Sequence, residues 1–416
     1  NFYSEENYAN NLSKMDYSSG LRDFTLKHDL DFFPNPDHSI KMGIITTLHK
    51  FTPSALLVSD DNQEEEPMRF VDEVEVLESA IYIEDDFRIA SNFKVNGGMR
   101  LSHYLNDEGN SIINSEPRVA LSFKLNRNAS FKSSYTVMNQ YNHLLSNTGI
   151  GLPTDLWVPS TNKVAPQKSQ QIAIGIAKDI SQHDLALTIE GYYKKSDRII
   201  AYKEGASFLN INTNRTDGKI INWEDNVTSG QSWSYGIEFL LEKHIGRLAG
   251  WAGYTLSWSL VQFDSINNGK KFYDRYDRRH DISIVTVFKL KENITVSGSW
   301  VFGTGNPITL PVAQFDAAHH IFANQLDERL IIMDRTEYGE RNSFRMANYH
   351  RLDLGIQFKK QKKWGERTWE ISFYNAYNRK NAFYYFIDRK YDSQQTKLKQ
   401  KTLFPFIPSL AYNFEF

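Results

Sequence analysis

The chain has 416 residues, 24% of them charged and 14% aromatic, and its 48 Lys and Arg against 50 Asp and Glu leave a formal charge of -2, which excludes the clustered basic excess of a nucleic-acid partner. It contains no cysteine, so a disulfide scaffold, a thiolate zinc site and a cysteine nucleophile are excluded. No run approaches the ~18–20 consecutive apolar residues of a membrane-spanning helix, which excludes a helical membrane protein and leaves a membrane β-barrel open.

In chain order, residues 1–17 read as the tail of a long loop leading into a strand over 21–33. Long strands follow over 72–87 and 183–202. Over 233–241, Trp233, Tyr235, Ile237, Phe239 and Leu241 alternate with Ser234, Gly236 and Glu238, so large apolar groups take one face and small or polar groups the other. The pattern recurs with Tyr254, Leu256, Trp258 and Leu260, with Ile294, Val296, Trp300 and Phe302, and with Leu352, Leu354, Ile356 and Phe358. A single long strand is expected over 369–387. The chain ends in another, where Leu410, Tyr412, Phe414 and Phe416 alternate with Ser409, Ala411, Asn413 and Glu415. Short turns at 34–38, 126–128, 244–247, 291–293 and 359–367 alternate with long polar excursions at 53–69, 141–167, 205–230, 264–277 and 305–347.

A soluble sandwich also alternates, but its strands are typically about five or six residues long and its inner face is dry. Here the strands are longer, and the polar face carries Glu, Lys, Ser, Thr and Gly in numbers that a packed core would leave unpaired. Water must therefore wet that face. A sheet with one apolar and one wet face, and no helix to cover it, is stable in lipid only when closed on itself. The expected fold is all-β, an antiparallel transmembrane β-barrel, with short periplasmic turns and long extracellular loops. Counting back from the last strand gives about 15 strands, an odd number, so the chain reads as the C-terminal part of a larger barrel. The first residues follow no charged and apolar leader, which suits either a removed signal or a start partway through a larger protein.

The segments "GYYKKSDRIIAYKEGA" (191–206), "YDRRHDIS" (276–283), "NAYNRKN" (375–381) and "FPFIPSLAYNFEF" (404–416) resemble the barrel of TonB-dependent outer-membrane transporters, and among these the Bacteroidetes-type receptors. The resemblance spans residues 20–416, and its most specific pieces are 276–283, 375–381 and the terminal Phe416. Barrels of that family have about 22 strands, so the resemblance implies that this chain supplies the last 15 and that the plug domain lies outside it. It implies a place in the Gram-negative outer membrane and TonB-dependent active uptake of a nutrient such as a siderophore, vitamin, peptide or glycan. The implied partners are the plug and N-terminal barrel segment, from the same protein or a second chain, and the inner-membrane TonB complex. They also include the barrel-insertion machinery that reads Phe416, outer-membrane lipid and lipopolysaccharide, and in some branches a surface lipoprotein. No cofactor and no enzymatic activity are implied.

Candidate chemistry is sparse. His319 and His320, with Asp316 and Asp327 nearby, have side chains suited to metal, but adjacent histidines in a long loop favour a solvated role. His280 and Asp281 precede a strand and favour a structural role. Residues 303–307, Gly-Thr-Gly-Asn-Pro, follow a strand but open no helix, so they lack half of a phosphate site. No nucleophile elbow, phosphate loop or paired-histidine metal motif occurs. Tyr141, Trp157, Trp223, Phe315 and Phe322 lie in long excursions, where they either stack on a ligand or pack loop against loop. Glu190, Glu238, Arg351, Asp353 and Glu370 fall on the polar face, where a plug would contact the wall. Asp264-Ser265-Ile266 matches a short O-glycosylation signal. Two other classes stay open: a passive porin-like channel, which would lack a plug, and a surface-binding module, which would be soluble without detergent.

Overall fold

Alternation at every second residue becomes antiparallel sheet throughout the computed structural model, whose helical content among the described residues is two 3-10 turns, Trp223–Asn226 and Asn267–Gly269. The structure describes residues 2–8, 11–60, 73–106, 108–145, 156–204, 223–324, 327–390 and 395–416. Of residues 2–8, 11–19, 53–60, 314–324, 327–336, 387–390 and 395–396 it describes the backbone alone.

The chain divides into two units. The first, residues 1–245 and 263–265, holds β1 (Asn11–Asn35), β2 (His38–Asp60), β3 (Val74–Ala90), β4 (Phe93–Leu105), β5 (Ser111–Asn126), β6 (Ala129–Gln140), β7 (Gln167–Ile180), β8 (Leu185–Tyr202) and β9 (Val227–Lys243). Each pairs antiparallel with the next, and Phe2–Tyr8 pairs with the start of β1. The second unit, residues 246–262 and 266–416, holds β10 (Leu248–Phe263), β11 (His280–Lys291), β12 (Ile294–Gly303), β13 (Tyr349–Lys362), β14 (Gly365–Tyr374) and β15 (Ile407–Glu415), again paired in sequence. With the short strands Phe2–Tyr8 and Phe272–Tyr273 set aside, the main sheet holds nine of these strands in the first unit and six in the second, the fifteen expected.

One end of each unit carries tight turns. At two of them an asparagine closes the turn, Asn35 Oδ1 accepting from the Asp37 amide and Asn126 Oδ1 from the Asn128 amide, each at 2.9 Å; these are Asx turns. The other end carries the long excursions, which hold hairpins of their own: Asn142–Leu145 with Leu156–Pro159, Pro311–Asn324 with Asp327–Tyr338, and Ala382–Lys390 with Gln395–Thr402.

Several boundaries differ from expectation. Two excursions are shorter than expected: β2 runs on to Asp60, in register with β1, through the first residues of the excursion expected over 53–69, and β9 begins at Val227, inside the excursion expected over 205–230. The single strand expected over 369–387 is divided: β14 stops at Tyr374, and Asn375, at φ 52°, turns the chain into a separate hairpin. Asparagine tolerates that left-handed conformation, and because the hairpin is itself extended, its alternation hides the break. The turn expected over 359–367 shrinks to 363–364, since Lys359–Lys362 continue β13 and Glu366–Thr368 belong to β14. The loop tail expected before residue 17 is strand, in register with Phe2–Tyr8 and with β2.

The two faces of each sheet are opposite in character. Across the first unit, Phe93, Phe123, Phe131, Ile176, Ile189 and Phe239 form one lateral row over six strands. Across the second, Leu248, Phe288, Val296, Ile356, Ile371 and Leu410 do the same. These rows lie open: Ile176 is 49% exposed and Leu410 66%. Soluble monomers rarely expose contiguous apolar rows of this kind. The opposite face is polar and closely tied. At Gly43 a Cβ would meet the His28 carbonyl oxygen at 2.6 Å, and the absent side chain lets the Tyr82 hydroxyl donate across to Asp29. Among the described residues the buried apolar clusters are two small ones, and both involve residues of the excursion between β6 and β7.

Candidate functional site

The polar face of the first unit carries a ladder of charge running sideways across five strands. His49 Nδ1 of β2 lies 2.8 Å from Asp23 of β1 and its Nε2 lies 3.5 Å from Glu78 of β3. Arg100 of β4 lies 3.4 Å from Glu78 and 3.6 Å from Glu116 of β5. Acids alternate with His49 and Arg100 along the row, so each carboxylate lies beside an imidazole or a guanidinium. Glu116 is buried and also accepts from Ser102 at 3.0 Å and from Asn139 at 3.5 Å.

Above the ladder the excursion between β6 and β7 folds down onto the sheet. The Tyr141 hydroxyl reaches Ser102 and Asn114, both at 2.8 Å, and its ring stacks on Tyr104 with centroids 4.7 Å apart. Tyr104 in turn donates to the Ser160 carbonyl at 2.9 Å. Trp157 packs beside Phe51, Val76, Tyr104 and Tyr141, while Leu145, Leu156, Val158 and Val164 bury against Tyr202, Val227 and Trp223. The paired strands 142–145 and 156–159 thus lie between β8 and the β1–β2 side of the sheet and are anchored on both sides by small apolar cores. His143 is buried beside Ser160 at 3.0 Å; burial, with the Arg198 charge as a lesser cause, pushes its imidazole down to about 4.

In the second unit the segment 276–283 forms a clamp rather than a reactive centre. Asp277 is fully buried, receives the Ser259 amide at 2.6 Å, and is held by Arg345 and Arg279. Tyr273 lies between those two guanidiniums, 5.5 Å from Arg279 and 4.8 Å from Arg345. Arg278 donates to Asn306 at 3.1 Å, and the His280 amide donates to Thr304 at 3.1 Å. The Gly-Thr-Gly-Asn-Pro segment is therefore the clamp's other jaw, and Gly305 has no room for a side chain, since a Cβ would lie 1.8 Å from the Met346 carbonyl oxygen. Burial pushes the nearby Asp274 carboxyl up. The segment 375–381 closes the next excursion: buried Asn375 donates to the carbonyls of Arg379 and Phe404, and its amide donates to Asp353 at 2.8 Å.

The sequence candidates fall as follows. Tyr141 is buried and its ring is covered by Tyr104, while Trp157 and Trp223 are half-buried in the two clusters. Phe315 and Phe322, with His319, His320, Asp316 and Asp327, sit on the hairpin 311–338, and their side chains lie outside the described residues. Glu190 and Glu238 stand directly opposite each other on β8 and β9, and Glu190 joins Asp86, Lys94, Asn96, Lys132 and Ser134 around a recess of about 360 Å³. Arg351 pairs with Asp353 at 2.9 Å and donates to Tyr374 at 2.8 Å, and Glu370 accepts from Gln357 at 3.1 Å. Ser265 is exposed in a turn, but Ile266 beside it is buried. Among the described residues no group of three His, Asp or Glu side chains is placed to hold a metal ion. The sequence reading missed Asp23, His49, Glu78, Arg100, Ser102 and Glu116, all of which alternation places on the polar face.

A family model described as "TonB dependent receptor-like, beta-barrel" matches residues 1–379. Among solved structures, BauA, the ferric preacinetobactin receptor from Acinetobacter baumannii, aligns with TM-score 0.58 at 12% identity, over 97% of this chain and 55% of that one. Fiu, the ferric-catecholate import receptor from E. coli K12, aligns with TM-score 0.56 at 12% identity, over 97% and 55%. FecA, a ferric citrate transporter in its unliganded form, aligns with TM-score 0.55 at 10% identity, over 99% and 57%. The chain spans about half the length of these proteins, and at these identities the likeness is one of fold. No curated protein matches it by sequence.

Proposed function

The chain belongs to the family of TonB-dependent receptor-like β-barrels, and from that membership we propose that it forms most of the wall and the outer loops of a receptor for TonB-dependent active uptake across the Gram-negative outer membrane. The observation that carries this reading is the opposition of the two sheet faces: an open apolar band across every strand, with a paired charge ladder behind it. The band faces hydrocarbon, the ladder faces the aqueous bore, the tight turns lie in the periplasm and the long excursions outside.

The polar face is suited to holding a plug. Glu190 and Glu238 oppose each other across neighbouring strands, a like-charge pair that is stabilised when a cation approaches, and a basic plug residue supplies one. Arg351, Asp353 and Glu370 offer further polar contacts on the second unit. The plug and the remaining wall come from a further segment of the same protein or from a second chain. The inner-membrane TonB complex drives release of the cargo through the plug. The cargo is a nutrient too large for passive entry, a siderophore, vitamin, peptide or glycan, and a ferric complex is the first to test, since the three solved neighbours are described as receptors or transporters of ferric complexes. The outer loops, with Phe315 and Phe322 among their aromatics, select the cargo. Phe416 serves as the assembly signal, so its deletion lowers the amount of protein in the outer membrane.

The absence of native cysteine makes the topology directly measurable. Single cysteines at Asp225, in a long excursion, and at Asn128, in a tight turn, are exposed to a membrane-impermeant maleimide on intact cells. Labelling at 225 and protection at 128 is the expected result. Labelling at both, or recovery of the protein in the soluble fraction, overturns the reading.

A further inference from the structure

The turn between β13 and β14 separates its charges by face. In register, Lys360 opposes Arg367, which opposes Phe414 of β15, and Phe358 opposes Trp369, which opposes Tyr412. These residues share a face with the open apolar row that includes Ile356, Ile371 and Leu410. Lys362 lies two residues beyond Lys360 on the same face. The acids of this end are on the other face: Glu366 opposes Glu415, and Lys359 reaches Glu366 at 3.3 Å. Lys360, Lys362 and Lys363 are exposed. Around them stands a group of open rings: Trp364, 70% exposed, lies 5.2 Å from Phe414, and Phe414 lies 4.8 Å from Phe416, while Trp369 lies 4.7 Å from Tyr412.

We infer that this end of β13–β15 is a binding site for an anionic glycerophospholipid, with Lys360, Lys362 and Arg367 donating to its phosphate and Phe358, Trp369 and Tyr412 lining its acyl chains. The inference rests on the membrane orientation proposed above, which puts the tight turns in the periplasmic leaflet. Three features favour this occupant. The cations continue directly from the apolar band, so a molecule bound to them has its apolar part on that band. Long basic side chains at the edge of such a band extend toward headgroups while their stems stay on hydrocarbon. The carboxylates that would neutralise the cations face the opposite way, and Glu366 is itself engaged by Lys359. A zwitterionic lipid gains less from three cations than one with a net negative headgroup.

The test uses the protein purified from its own membrane in neutral detergent, with phosphatidylglycerol as probe, phosphatidylethanolamine as the neutral control and lipid A as the other phosphate source. Binding is read by native mass spectrometry, and folding by the heat-dependent shift in gel mobility. At about fivefold per cation near a surface, Lys360→Gln/Lys362→Gln/Arg367→Gln should bind phosphatidylglycerol roughly 100-fold more weakly, while Lys359→Gln, whose charge faces the bore, keeps its affinity. Unchanged phosphatidylglycerol binding in the folded triple variant overturns the inference, as does equal loss in Lys359→Gln or a preference for lipid A. Should the triple variant not fold, Lys360→Gln and Lys362→Gln singly, both at exposed positions, carry the same comparison at about fivefold each. A protein that neither enters the membrane fraction nor shows the mobility shift defeats the orientation itself, which separates that failure from failure of the lipid site.

Discussion

Tyr141 lies face to face on Tyr104, the ring centroids 4.7 Å apart and the planes 5° from parallel, and this pair fastens the excursion between β6 and β7 to the wall. Its hydroxyl meets Ser102 and Asn114, so Tyr141→Phe removes two hydrogen bonds and leaves buried partners short, at about 1–2 kcal/mol. Tyr141→Ala also empties the stack, at about 3–5 kcal/mol. Amide exchange at 142–145 and 156–159 should quicken modestly in the first variant and strongly in the second. Equal exchange in Tyr141→Ala and the parent would show that the pair does not hold the excursion.

The same excursion should loosen in acid. The buried His143 has its pKa pushed down to about 4 from an ordinary 6.5, so it is neutral when folded and takes up a proton more readily when released. The stabilisation is therefore complete above about pH 6.5 and falls as pH drops toward 4, by up to ~3 kcal/mol. Proteolysis within 142–165, followed from pH 7 to pH 4, should accelerate over that window, and His143→Gln should flatten the dependence. An unchanged pH profile in His143→Gln would assign the effect to another group.

Arg100 bridges two carboxylates that stand on the strands either side of its own. Its side chain is 22% exposed, and Glu78 and Glu116 are 23% and 7% exposed. Arg100→Met should cost about 2–3 kcal/mol, below the ~3–5 kcal/mol of a fully buried pair because water still reaches part of the ladder. Adding Glu116→Gln removes one of the stranded charges and should recover part of the loss. Denaturant unfolding of the single and double variants gives the coupling; strict additivity would mean that the ladder is only a row of neighbours.

These three sites differ in how far the sequence exposes them. Phe239 beside Glu238, or Leu410 beside Ser409, announces its face through the residue next to it, because strand geometry repeats every two residues and needs no distant information. The faces of the wall and the count of long strands follow from that local rule. The polar positions of Arg100, Ser102 and Glu116 obey it too, although their joining into one row depends on register across strands. Tyr141 does not follow from any local pattern. Its partner Ser102 is 39 residues away, and an aromatic in a long polar segment reads equally well as a ligand contact and as a plug for its own loop. The break at Asn375 is hidden for a different reason: both strand and hairpin are extended, and a single left-handed residue between them leaves the alternation almost undisturbed.

The strongest contrast in the molecule is between its two faces, and it gives opposite signs in lipid and in water. Ile174 is 48% exposed on the apolar face, six residues before the end of β7 at Ile180 and opposite Ser133 and Gly191. With hydrocarbon against that face, Ile174→Lys places an ammonium near mid-depth and should cost about 2–4 kcal/mol, lowering the amount of assembled protein in the membrane. Ser134→Lys puts the same charge on the polar face, beside the recess that Asp86 and Glu190 also line, and should assemble nearly as well as the parent. Were the apolar face instead met by water, Ile174→Lys would improve solubility and leave folding intact. Quantifying the heat-shifted species of the two variants in isolated membranes decides between these outcomes, because a single lysine cannot both penalise and favour the same surface.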